Sequence, residues 1–157
     1  MRPASRADHR ANDLIAGHTG HVDAELNRRN TLAAVEAFNA GDLDRYLASY
    51  APDAVIHGLP EHHPPTIEGH RAYLEEMRAA IPDLQVEVHT LLVEGDHSAA
   101  RLTYSGTHQG PLQGVPATGR TLRWDAMNFR RFNGEGLTVE RWLLSDSIGL
   151  LHQLGSL

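Results

Sequence analysis

From Leu84 onward the chain is a succession of β-propensity runs: Leu84–Val93, Ser98–Ser105, Leu122–Phe132 and Leu137–Leu144. Turn signals at Glu94-Gly95-Asp96, a long Gly/Pro loop and Asn133-Gly134-Glu135-Gly136 part them. Helix-spaced apolar residues come before. Leu32, Val35, Ala37 and Phe38 mark a first helix starting near Leu26 and stopped at Gly41, and Asp42 then caps a short second helix carrying Leu43, Tyr46, Leu47 and Tyr50. Pro52-Asp53 breaks that pattern, and Ala54–His57 reads as a first strand. After the proline-rich loop Pro60–Pro65, a third helix buries Tyr73, Leu74, Met77 and Ile81 and ends at Pro82. Helices segregated from hairpin-connected strands predict an α+β fold with a curved antiparallel sheet, and exclude the alternation of a Rossmann-type chain.

A length of 157 residues with 41% hydrophobic content suits one core that forms without disulfides, since cysteine is absent. Residues 1–26 mix Arg, Asp, His and Gly without apolar periodicity and read as an extension, partly flexible or helical, ahead of a domain over 27–157. All 14 basic residues are arginine, so no side chain can form a Schiff base, which excludes lysine aldolases and internal aldimines of pyridoxal phosphate. A formal charge of −6 argues against nucleic acid, whose phosphates require a concentrated basic face, and the adjacent pair Arg130-Arg131 reads as a solvated strand edge. No stretch is long and apolar enough to span a bilayer, and the N-terminus lacks the apolar run of a signal peptide, so a cytoplasmic location is expected.

Three blocks stand in order: Val35-Glu-Ala-Phe-Asn-Ala-Gly-Asp42, the glycine- and proline-rich stretch from Gly106-Thr-His-Gln-Gly110 to Arg120, and Trp142 to Gly155. The last holds a strand, a capping residue at Asp146 and a short amphipathic helix closed by Gly155. Over about Asn27 to Gly155 the pattern resembles the SnoaL-like polyketide cyclases, or ester cyclases, of the nuclear transport factor 2-like superfamily. The resemblance implies a cone-shaped α+β barrel, commonly a homodimer through the outer face of its sheet, around a cofactor-free pocket for a small hydrophobic organic substrate. It also implies intramolecular aldol cyclisation driven by an acid/base carboxylate. Relatives on the same fold are ketosteroid isomerases, dehydratases and epoxide hydrolases, so the fold alone does not fix the reaction.

The carboxylate of the resembling cyclases falls at Leu143, which cannot take a proton. Three residues are the expected catalytic substitutes. Asp146 is nearest in sequence, although its boundary position also suits an N-cap. His57 ends the first strand, where related enzymes place polar pocket groups, and an imidazole shuttles protons near neutrality, although a strand-end histidine also serves as a surface group. Asn128 shares a strand face with Leu122, Trp124 and Ala126 and offers an amide for an enolate oxygen.

The expected substrate contacts are Phe38, Arg101, Thr103, His108, Trp124, Arg141 and Leu143. Trp124 reads equally as core filling, Arg101 as an ordinary exposed arginine and His108 as a loop residue. A buried arginine needs an anionic partner, which substrate carboxylate, Asp146 or a glutamate can each provide. His57, His62, His63 and His70 raise the question of a metal, but adjacent His62-His63 lacks helical or hairpin ligand spacing, no cysteine helps and the resemblance implies a cofactor-free pocket, so no metal is expected. Cofactor-free acid/base chemistry on a carbonyl-bearing small molecule is therefore the leading expectation. Its alternatives are a non-catalytic binding protein and a dehydratase or epoxide hydrolase. The epoxide hydrolase is disfavoured because Thr103 and Leu143 stand where it wants carboxylates.

Overall fold

Side-chain caps divide the helical half of the chain where the sequence changes character. In the computed structural model, which describes residues 23–157, Asp23 accepts from the Leu26 N–H at 3.0 Å and opens α1 (Ala24–Asn39). Asp42 accepts from Arg45 N–H at 3.0 Å to open α2 (Leu43–Leu47), and Thr66 opens α3 (Ile67–Ala80). Gly41, at φ +74°, lets the Gly41 and Asp42 N–H groups reach Phe38 O and Ala37 O, a Schellman closure of α1. The first helix therefore begins within the span expected to be an extension. Residues 1–22 of that extension lie outside the described residues.

Five strands form one open, curved sheet in the order β1-β5-β4-β3-β2: β1 (Tyr50–His57), β2 (Gln85–Glu94), β3 (His97–Thr107), β4 (Thr121–Phe132) and β5 (Thr138–Ser145). The three hairpin ladders are antiparallel, as the hairpin-connected strands predict, and β1 joins them parallel to β5. The reason is the crossover. The chain leaves β1 through α3, and the four-strand meander brings its last strand back beside β1. Register shifts between Val88 and Thr90, and between Arg131 and Phe132, bend the strands.

On β4 the sequence alternation is realised residue by residue. Leu122, Trp124, Ala126, Asn128, Arg130 and Phe132 are buried, while Arg123, Asp125, Met127 and Phe129 are exposed. The core lies on the concave side, where Ile56, Leu84, Leu102 and Leu122 meet Ala34, Ala37 and Leu74 from the helices. Each such Ile or Leu contributes about 1.5–3 kcal/mol by leaving water.

The final helix, α4 (Ser147–Leu154), packs on β4. Beyond Ser145, which pairs with Ala126, β4 has no strand neighbour on that side. The Gln153 amide takes the place of one, accepting from Arg123 N–H at 2.8 Å and donating to Arg123 O at 2.7 Å.

Candidate active site

The register of the ladders decides which side chains enter the cone. Asn128 pairs with Ala100 and Leu143, Arg130 with Ser98 and Arg141, and Trp124 with Tyr104, all on the concave face. The helices add Phe38 from α1, Tyr46 from α2, and His70 and Tyr73 from α3. The rings of Phe38, Tyr46 and Tyr104 wall two cavities. One, of about 30 Å³, is lined also by Asn128 and Arg130. The other, of about 20 Å³, is lined also by His70, Tyr73, Trp124, Arg141 and Leu143. Each has room for a water or two, so a larger guest enters only if the shared rings turn aside.

Two guanidinium groups dominate the interior. Arg130 is 5% exposed and Arg141 3%, and among the described residues neither has a carboxylate at ion-pair distance. Arg130 Nε donates to Asn128 Oδ1 at 3.4 Å, and its guanidinium lies over the Tyr50 ring. Arg141 Nη1 lies 3.5 Å from His70 Nε2, and Arg141 Nε is buried without a partner. Arginine only donates, so His70 Nε2 accepts and the ring hydrogen sits on Nδ1, which is also buried without a partner.

Tyr46 stands at the junction, its hydroxyl 2.9 Å from that of Tyr50 and 3.3 Å from His70 Nε2. Burial pushes the Tyr46 phenol up, but Arg141 and Arg130, with the Tyr50 hydroxyl, outweigh it and leave the phenol more acidic than usual. Its neighbours go the other way, with burial driving Tyr50 up and Tyr104 to about 12. Burial, reinforced by Arg141 and Arg130, holds His70 well below its ordinary value, so the imidazole is neutral at pH 7.

Of the expected residues, Phe38, Trp124, Asn128, Arg141 and Leu143 lie on the cone interior. His57 does not. It is level with Trp142 in the parallel β1–β5 pair, so it points to the outer face, stacks on that indole at 5.1 Å and bonds Glu140 at 2.9 Å. That bond first, and Arg131 after it, hold Glu140 below the usual carboxylate range. Arg101 and Thr103 also face outwards, because Leu102 and Tyr104 take the inward positions opposite Ala126 and Trp124. Thr103 is nonetheless buried there, accepting from His89 Nε2 at 2.7 Å and donating to Asp125 at 2.6 Å. Asp146 is exposed and caps α4 by accepting from Gly149 N–H at 2.8 Å. His108 is buried but lines neither cavity. Its Nδ1 accepts from Thr118 N–H at 3.3 Å, and the Thr118 hydroxyl lies 2.9 Å from the same atom, which pins the loop.

Tyr46 and Tyr104 read from the sequence as core residues and His70 as no metal ligand, while Arg130, expected at a solvated strand edge with Arg131, is instead buried at 5% exposure because it falls on the concave face of β4. For Arg130 the signal was present: it is two residues beyond Asn128 on the same strand and therefore on the same face. The histidines also group differently from their spacing. His62 and His63 converge on Glu76, their ligand atoms within 4.8 Å, while His57 and His70 stand apart.

The profile of the SnoaL-like polyketide cyclase family matches residues 29–154. The chain belongs to that family. Among solved structures, this SnoaL-like protein is similar to AclR from Streptomyces galilaeus, described as a candidate hydroxylase, at 32% identity and TM-score 0.79, covering 86% of this chain and 99% of the other. It is similar to IdmH from Streptomyces antibioticus, described as a candidate polyketide cyclase, at 36% identity and TM-score 0.72, covering 82% and 98%. It is similar also to TsrD from Streptomyces laurentii, at 29% identity and TM-score 0.77, covering 87% and 100%. No curated protein matches the chain. Among the described residues no helix is long and apolar enough to cross a membrane.

Proposed function

We propose that this SnoaL-like protein is a cofactor-free acid/base enzyme that enolises a carbonyl-bearing small organic molecule and closes a ring by aldol addition, with Tyr46 moving the proton. The observation that carries the reading is the Tyr46 phenol, buried in the cone and acidified by two guanidinium groups. A phenol with a lowered pKa brings a proton-transfer group closer to working pH, the role that Leu143 cannot fill. In its phenolate form Tyr46 takes an α-proton, and the enolate oxygen is held by the Asn128 amide N–H and the Arg130 guanidinium. The enolate carbon then attacks a second carbonyl. The Tyr46 hydroxyl returns its proton to the new alkoxide, regenerating the phenolate. Family membership supports the reaction class.

The test needs no knowledge of the natural substrate. Exchange of the α-protons of 1-tetralone in D₂O, followed by NMR, reads enolisation directly. The wild-type protein is expected to accelerate exchange over buffer, and Tyr46→Phe to lose about 10²-fold of that acceleration. Equal exchange by the two proteins would remove Tyr46 from the mechanism. No acceleration, with 1-tetralone still bound in the cone, would support the binding-protein alternative.

The same proposal includes a homodimer. Leu92, Met127, Phe129 and Leu144 are exposed, and with the half-buried Trp142 they line a groove of about 460 Å³ on the outer face of the sheet, an apolar patch that a second copy would cover. Sedimentation velocity reads that state.

A further inference from the structure

The cone holds two buried guanidinium groups, and the Tyr46 phenolate balances at most one of them. Arg141 is 3% exposed, walled by tyrosine, tryptophan and leucine side chains, and none of its nitrogens meets a carboxylate among the described residues. Asp146 and Glu140 are near in sequence, but Asp146 caps α4 at the surface and Glu140 pairs with His57 and Arg131 on the outer face. Arg141 is left with one 3.5 Å contact to the neutral His70 ring and a bare, buried Nε–H. A guanidinium stays charged inside a protein, and its planar fork matches a carboxylate with two parallel hydrogen bonds. A buried charge without a counter-ion is costly, so a site that keeps one is built for an anion that arrives from outside.

We infer that the substrate carries a carboxylate, and that Arg141 anchors it in the cavity lined by His70, Tyr73, Trp124 and Leu143. This rests on the proposal that the cone is the substrate pocket. It divides the two arginines by cavity. Arg130, beside Asn128, serves the reacting carbonyl, and Arg141, beyond the Phe38–Tyr46–Tyr104 wall, fixes the far end of the molecule. Tyr46 touches both cavities and so lies between anchor and reacting carbon. The His70 Nδ1–H, also buried without a partner, is a second donor left open in the same region.

Levulinate and its methyl ester share a ketone and differ in the charge at the far end, which makes them the probes. NMR titration of the wild-type protein should show levulinate binding at least tenfold tighter than methyl levulinate. Arg141→Met should remove that preference, and Arg141→Lys should restore part of it. The ligand-free Arg141→Met protein should melt no lower than wild type, because the change deletes an uncompensated buried charge while keeping most of the volume. A purely structural arginine would instead leave that variant less stable.

Equal binding of the two probes to wild type overturns the inference. So does a levulinate preference that survives Arg141→Met. If that variant does not fold, the wild-type comparison and Arg141→Lys still decide. The result is separate from the enolisation test, because 1-tetralone carries no charge. Failure there with a levulinate preference here sinks the chemistry and leaves the anchor, and the reverse pattern sinks the anchor alone.

Discussion

Asn128 and Leu143 stand opposite one another in the β4–β5 ladder, both on the concave face of the sheet. The leucine therefore fills part of the wall facing the interior, two residues along the same strand from Arg141. Gly58 keeps the neighbouring strand end tight against it, since a Cβ at Gly58 would lie 2.3 Å from the Leu143 carbonyl oxygen, at a φ of +85° that side chains rarely adopt.

A carboxylate placed at this position would enter the field of both guanidinium groups. Leu143→Asp is expected to fold, to remain ionised beside Arg141 and to occupy that arginine as an internal counter-ion. Levulinate affinity should then fall at least tenfold in the same NMR titration. The 1-tetralone exchange rate should not rise, because a carboxylate held by a guanidinium is a weak base. Unchanged levulinate binding would mean that position 143 and Arg141 do not share a site.

His57 makes the opposite case, a residue with suitable chemistry on the wrong side of the sheet. Its imidazole stacks on Trp142 and bonds Glu140, and its side chain is 41% exposed. An exposed pair of this kind contributes up to about 1 kcal/mol, and the stacking about 0.5–1.5 kcal/mol. His57→Ala should therefore lower the urea-unfolding free energy by about 1–2 kcal/mol and leave 1-tetralone exchange at the wild-type rate. A loss of exchange with intact stability would place His57 in the chemistry after all.

The contrast between these residues shows what the sequence could reveal. Alternation along β4 put Trp124 and Asn128 on one face with Leu122 and Ala126, because one buried face imposes a period of two on a strand, and the family resemblance implied that this face is the inward one. Caps at Asp42 and Asp146 and the stop at Gly41 were legible because they depend on local hydrogen bonds. Arg101 and Thr103 alternate with the apolar Leu102 and Tyr104, so the outward reading of Arg101 was open in the sequence, whereas the direction of His57 follows from its pairing with a distant strand, which no local pattern encodes. The parallel β1–β5 pairing, which sends His57 outward, is a consequence of the whole topology. Tyr46 read as an ordinary helix residue and His70 as one of a histidine group without metal spacing, and their environment depends on Arg130 and Arg141, some 60 or more positions away. Only the assembled sheet brings those charges to the helices.

His70 offers a test of that assembled charge by pH. Its ring is buried against Tyr46 and Tyr50 and faces the positive Arg141 and Arg130, with no carboxylate contact among the described residues. Burial first, and then the two guanidinium groups, hold its folded pKa well below the ordinary 6.5. Below 6.5 the unfolded chain therefore takes up a proton that the folded chain refuses, and protonation favours unfolding. The stability associated with a neutral His70 is fully present above pH 6.5 and is lost as pH falls towards the folded pKa. The slope approaches about 1.4 kcal/mol per pH unit for one proton. Urea unfolding from pH 8 to pH 5 should show wild type losing more stability than His70→Gln below pH 6.5, and the two running parallel above it. Parallel curves throughout would mean that the imidazole can charge in the folded protein. In that case the guanidinium groups do not reach His70, nor Tyr46 beside it, with the strength that the proposed chemistry requires.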